Sequence, residues 1–266
     1  MTAPTLVMVA RSSSDPRVAQ VTHVLRQGLQ TMRPDLDIQA AFRDPCTPSV
    51  AQVASQLAER GVREVVLVPL GLTHAIEIDP AVLAVMHQVR ADHPEVGFVT
   101  SRPIGPELSL LNILDGRLRA ALHRARVLEL DGLILSSAST GDVRGSALLA
   151  RRARQWSTHH RLPCLTAVAD GSGPSVAQAI QGLRAQGRRH IAVGSFFLSS
   201  DELYHAQADQ AHRSGVVAVS DPLGPAREVL DLVLARYAFA AMDLLDFEQA
   251  DEPARHDDLP LDAFSA

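Results

Sequence analysis

The stretches "TPSVAQVASQLAERGVREVVLVPLGL" (47–72) and "GPSVAQAIQGLRAQGRRHIAVGSFFL" (173–198) align without a gap and are identical at nine of 26 positions. A repeat has to be recognised before local motifs are read, because it changes the unit that must fold. The match extends outward in the same order. "LVMVARSSSD" (6–15) lines up with "LILSSASTGD" (133–142), and "RPIGPE" (102–107) with "DPLGPA" (221–226). A duplication of about 125 residues is the simplest account.

Each stretch opens with a helix signature and ends in an apolar run. Ser49 sits where a helix N-cap belongs, and Gly61 closes the helical pattern. "EVVLVPL" (64–70) is almost continuously apolar, as a parallel strand buried on both faces must be. Working outward, the first half adds strands at "TLVMVA", "DIQAAF" and "EVGFVTS". Its other helices run from Pro16 to about Met32, Pro80 to Asp92 and about Glu107 to Arg124. The second half repeats the scheme with "GLILSS", "PCLTAV", "RHIAVGSF" and "VVAVSD" as strands. Short strands alternating with amphipathic helices predict right-handed crossovers. The expected fold is therefore α/β, with two similar lobes (1–126 and 127–242), each a parallel sheet flanked by helices.

Composition agrees and narrows the function. The chain has 266 residues, 46% hydrophobic, 21% charged and only 4% aromatic. The net charge of −5 is carried by the end of the chain, where eight acidic residues face one Arg255 from Asp243 onward. Residues 243–266 read as a flexible acidic tail. The body is near neutral and has no basic run, which gives no support for nucleic-acid binding. No apolar run is long enough for a membrane span and no signal-peptide pattern opens the chain, so a cytoplasmic location is expected. Cys46 and Cys164 have no metal-ligand or CxxC spacing and read as reduced and unpaired.

Ligands of open α/β sheets bind outside the carboxyl ends of the strands. Here those ends are "ARSSSDP" (10–16), "RDPCTPS" (43–49), "GLTHAIEIDP" (71–80) and "SRPIGPE" (101–107), with counterparts "SASTGD", "ADGSGPS", "FLSSDELYH" and "SDPLGPA". Two such faces turned toward each other form one cleft, so a monomer is feasible. In the third loop His74, Glu77 and Asp79 stand at the mouth of a strand. An imidazole accepts protons near neutral pH and ligates first-row metals. Glu77 is the freer carboxylate, since Asp79 stands at a helix start and fits an N-cap. Arg11, Arg43 and Arg102 also fall on these loops, where a guanidinium binds carboxylates in bidentate fashion. Ser12 and Ser13 offer hydroxyl and backbone donors at a helix start. His205 is expected inside the helix after the second repeat's third loop. His159 and His160 are neighbours at a helix end, with side chains expected to diverge and share no metal. A phosphate site on "ARSSSDP" is the weakest reading, because no P-loop or GxGxxG fingerprint accompanies it.

In this order the motifs resemble those of the class II tetrapyrrole chelatases, in particular the long two-repeat sirohydrochlorin type. The resemblance rests on the entry "LVMVARSSSDPR", the "PSV" helix start, the His loop "HAIEIDP" and "PIGPE". It covers nearly the whole chain to about residue 240. It implies insertion of a divalent metal (Fe2+, Co2+ or Ni2+) into a sirohydrochlorin-like tetrapyrrole without a nucleotide. The metal would be substrate, with no tightly bound cofactor, and the macrocycle the partner. His74 maps onto the family's third-loop histidine, as ligand or proton acceptor, with Glu77 beside it for metal and proton. The family's first-loop histidine is replaced by Arg11, and the second repeat has Ala138 and Ser200 at the equivalent places. Arg11, Ser12, Ser13, Arg43 and Arg102 are the expected contacts to the macrocycle's carboxylates. The missing imidazole motivates an alternative, a non-catalytic relative that carries or senses a tetrapyrrole or metal.

Overall fold

The computed structural model describes residues 3–43, 45–78 and 80–250. The first repeat supplies β1 (Thr5–Ala10), α1 (Pro16–Met32), β2 (Ile38–Phe42), α2 (Val50–Glu59), β3 (Glu64–Pro69), α3 (Pro80–Asp92), β4 (Gly97–Thr100) and α4 (Leu110–Arg124). The second supplies β5 (Gly132–Ser137), α5 (Val143–His160), β6 (Cys164–Val168), α6 (Val176–Ala185), β7 (Ile191–Phe196), α7 (Glu202–Arg213), β8 (Ala218–Val219) and α8 (Arg227–Ala250). The strands form two parallel four-stranded sheets of the same order, β2-β1-β3-β4 and β6-β5-β7-β8. Every residue of β1, β5 and β7 is buried, which explains why they are mostly apolar on both faces, with Thr5, Ser136, Ser137 and Ser195 as the buried polar exceptions. Among the described residues no helix is long and apolar enough to cross a membrane.

The helix starts repeat as faithfully as the strands. Asp15 caps α1 with Pro16 in its first turn, and Asp142 caps α5. Ser49 with Gln52, and Ser175 with Gln178, form reciprocal capping boxes at α2 and α6. Gly61 and Gly187 then leave those helices with φ of 75° and 83°, a conformation that costs glycine little. Each cap fixes where a helix begins at a strand's carboxyl end, and so shapes the loop in between.

The spatial lobes differ from the sequence halves. Helix α4 packs on β7 and β8, whereas α8 packs on β3 and β4. Each sheet is covered by the last helix of the other repeat. Leu114 of α4 reaches β7, lying 3.2 Å from where a Cβ on Gly194 would sit. In return the Tyr237 hydroxyl donates to Pro4 O at 2.7 Å, and Arg236 Nε donates to Pro103 O at 2.9 Å. The boundary expected at 126/127 therefore divides the chain but not the packing. One apolar core runs through both lobes and includes Leu25, Leu114, Trp156 and Val233. Separate clusters fill the outer layer of each lobe. Helix α8 also continues to Ala250, past the Asp243 at which the acidic tail was expected to begin; residues 251–266 lie outside the described residues.

Candidate active site

The exchanged helices set the two sheets so that their carboxyl ends meet. A cavity of about 370 Å3 lies at this junction, lined by both repeats, within the size range of small-molecule sites. Val21, Leu72, Phe196 and Phe197 give it apolar walls. Its charged and titratable lining is Arg11, Arg43, His74, Asp170 and Asp201.

Two latches flank the cavity, and they are related by the repeat. On one side, the first loop of the first repeat meets the start of α7. The Ser13 hydroxyl donates to Glu202 Oε2 at 2.8 Å, and that of Ser14 to Oε1 at 2.9 Å. Arg11 lies 3.5 Å from Asp201 and 3.6 Å from Glu202, while Arg17 pairs with His205. The N–H at the head of α7, then the hydroxyls of Ser13 and Ser14, hold the Glu202 carboxyl below its ordinary range.

On the other side, the first loop of the second repeat grips the loop that carries His74. Asp142 Oδ2 accepts the backbone N–H groups of Ala75, Ile76 and Glu77 at 3.1, 2.9 and 2.8 Å. Its Oδ1 meanwhile caps α5 through Gly145. Burial pushes the Asp142 carboxyl up, but the donors from Ile76, Glu77, Gly145 and Ala75 outweigh it and bring it to about 2. The Thr73 and Ser139 hydroxyls meet at 2.8 Å. A Cβ on Gly141 or Gly145 would lie 1.9 or 1.8 Å from the Thr73 carbonyl oxygen. Only glycine permits so close a backbone approach.

The expected site residues separate into three groups. His74, Arg11 and Arg43 line the cavity. His74 is half-buried, and among the described residues its ring has no hydrogen-bond or ionic partner. Ser12 and Ser13 do not line it. Ser12 sits 3.4 Å from Cys46 Sγ, and Ser13 is spent on Glu202. Glu77 and Arg102 are exposed and outside the lining, so neither is brought to His74's side of the cavity. The one Glu77 group that is used is its backbone N–H. Asp79, expected as the cap of α3, lies outside the described residues.

Two lining carboxylates, Asp170 and Asp201, escaped the sequence reading. Repeat register was the available signal for Asp170, since it aligns with Asp44 in "RDPCTPS". Asp201 is buried, caps α7 through the Tyr204 N–H and is paired with Arg11. Asp170 is exposed, and only its Oδ1 is engaged, by Ser172. Among the described residues no group of three metal-ligating side chains converges in the cleft. Among the described residues the cleft therefore offers one imidazole without a partner, one accessible carboxylate and two guanidinium groups against an apolar wall. Such a site suits proton transfer and the holding of a polyanion better than tight metal retention.

Comparison with known proteins finds one family model and several solved structures similar to this chain. Residues 5–121 match the CbiX family model. A sirohydrochlorin cobaltochelatase from Priestia megaterium is 28% identical over 118 residues, 43% of this chain and 37% of that relative. The match thus spans little more than a third of the relative's length. SirB from Bacillus subtilis with Fe3+ superposes with a TM-score of 0.72 at 14% identity, covering 91% of this chain and 98% of that one. The sirohydrochlorin chelatase SirB from Bacillus subtilis subspecies spizizenii, in complex with cobalt, gives 0.73 at 13% identity, covering 92% and 97%. The likeness of fold therefore extends over both repeats.

Proposed function

We propose that the protein inserts a divalent metal, Fe2+, Co2+ or Ni2+, into a sirohydrochlorin-like tetrapyrrole without consuming a nucleotide, a reading supported by the match of residues 5–121 to the CbiX family model and by the likeness of the whole chain's fold to SirB. The observation that carries the proposal is the position of His74. Among the described residues its imidazole has no hydrogen-bond or ionic partner, and it stands on the wall of a cavity built from both repeats, on a loop fixed by three hydrogen bonds to the opposite lobe.

Metallation exchanges two pyrrole N–H protons for one M2+, so the net products are the metallated ring and two protons. His74 accepts a proton from the ring or ligates the incoming ion briefly. Asp170 replaces Glu77 as the carboxylate available from the cavity wall. Arg43 and Arg11 face the acetate and propionate arms of the substrate. Arg11 lines the cavity while its Nη2 pairs with Asp201 and Glu202. The flat ring lies against the apolar side formed by Phe197 and Leu72. A metal held by few protein groups leaves readily for four ring nitrogens, and orientation supplies most of the rate.

Anaerobic incubation with sirohydrochlorin and each metal in turn, followed by visible absorbance, tests this reading. Metallation faster than the protein-free reaction is expected for at least one of the three ions. Tight binding of the free-base ring with no acceleration for any ion would assign the protein a carrier role instead.

A further inference from the structure

Away from the cleft, α4 and α5 bring three metal-ligating side chains together. Asp115 lies in the second turn of α4, while His159 and His160 close α5, and one ligand atom from each lies within 4.8 Å of the others. Adjacent helix positions diverge by roughly 100°, yet the two imidazoles here are only 4.9 Å apart between ring centres, at 87°. The third ligand comes from a helix of the other repeat, which is why sequence spacing gives no sign of it.

Several details point to a ligand at this place. His160 Nε2 and Asp115 Oδ1 lie 2.6 Å apart. Both atoms are buried, and neither makes a hydrogen bond of acceptable geometry. Arg119 holds the other oxygen of the carboxylate at 2.7 Å, which fixes its plane and leaves Oδ1 turned to the imidazole. Trp156, one turn earlier on α5 and fully buried, meets the His160 ring edge-on at 5.6 Å. That packing presets the imidazole's orientation. The carboxyl end of α5 adds partial negative charge, which favours a cation, against the adverse charge of Arg119.

We propose that Asp115, His159 and His160 form a second metal site, for a first-row divalent cation of the Zn2+, Co2+ or Ni2+ class. Two imidazoles and one carboxylate suit these ions, whereas Mg2+ and Ca2+ prefer all-oxygen shells. Three protein ligands leave the remaining positions to water, so the ion stays exchangeable. Helix α5 has 18 residues, about 27 Å at the usual rise, which separates this site from Asp142 at the cleft end. The site is thus distinct from the cleft and stands whether or not the protein is a chelatase. A bound ion would tie α4 to α5 and so clamp the helix exchange between repeats.

The test uses the full chain stripped by a chelator. Co2+ is titrated by visible absorbance and Zn2+ by equilibrium dialysis, on wild type, His159→Ala, Asp115→Asn and His74→Ala. The expected result is a binding event that His74→Ala retains and that His159→Ala and Asp115→Asn each weaken roughly tenfold or more, with unchanged circular dichroism. Since His159 is exposed, its substitution leaves the fold intact. Wild-type affinity in both His159→Ala and Asp115→Asn would overturn the proposal. So would binding lost only in His74→Ala, or binding seen only at millimolar metal.

Discussion

Asp142, the cap of α5, accepts the backbone N–H of Glu77 at 2.8 Å across the interface between the lobes. With Ala75 and Ile76 donating to the same oxygen, the loop bearing His74 is positioned by the other repeat rather than by its own sheet. Removing the carboxylate strands these three donors and the Gly145 N–H at the start of α5. Asp142→Ala is expected to cost about 1–3 kcal/mol of stability and to slow metallation more than it weakens ring binding. Denaturant titration alongside steady-state kinetics checks both.

The same carboxylate sets an acid limit. Its pKa falls from 3.8 to about 2 on folding, so the unfolded chain binds the proton more tightly. Its contribution is complete above the unfolded value and is lost as pH falls from about 4 toward 2. Asp15, hydrogen-bonded by Arg17 and likewise held at about 2, acts in the same direction. Melting temperature should therefore drop over that window, and with a shallower slope in Asp142→Asn.

Gly145 is the tightest point of this contact. A methyl group there would overlap the Thr73 carbonyl oxygen, so Gly145→Ala must push the His74 loop outward. A chain that folds but metallates slowly is expected. The equivalent change at Gly116, on the α4 surface with open space around it, is expected to stabilise slightly and serves as the control.

Exchange of α4 and α8 predicts that the halves do not fold alone. A fragment of residues 1–126 keeps β3 and β4 but lacks α8, and its α4 lacks β7 and β8. It should show poor amide dispersion by NMR and self-association by gel filtration. Mixing it with residues 127–266 should restore a well-folded complex.

Arg11 stands where the resemblance implied a first-loop histidine. Arg11→His should raise the cleft's affinity for Co2+, since a second imidazole joins the lining. It should also weaken binding of the carboxylate-rich ring by removing a guanidinium. Its exposed pairing with Glu202 contributes at most about 1 kcal/mol, but the change also takes the guanidinium from the buried Asp201, so a loss of stability should accompany it.

How far these features were legible follows from where their causes lie. Buried parallel strands such as "VVLVP" and the boxes at Ser49 and Ser175 depend on neighbours in sequence, and the chain displays both. The repeat then implied the same parallel sheet twice, without its strand order. The exchange of α4 and α8 was hidden, because an apolar helix face shows that it needs a sheet without showing which one. Glu77 was chosen for its carboxylate, yet its contribution is a backbone N–H to Asp142, an interaction with no side-chain signature. Ser13 was assigned to the substrate and instead donates to Glu202, 189 positions along the chain. Asp115 and His160 meet only because α4 changes lobes.

The central claim is that His74 handles the proton or metal in the cleft and that the exposed Glu77 carboxylate does not. Initial rates of anaerobic metallation of sirohydrochlorin by wild type, His74→Ala and Glu77→Gln test it most directly. The account predicts a loss of about 100-fold or more for His74→Ala, with ring binding retained, and a near wild-type rate for Glu77→Gln. Equal rates for His74→Ala and wild type would contradict it.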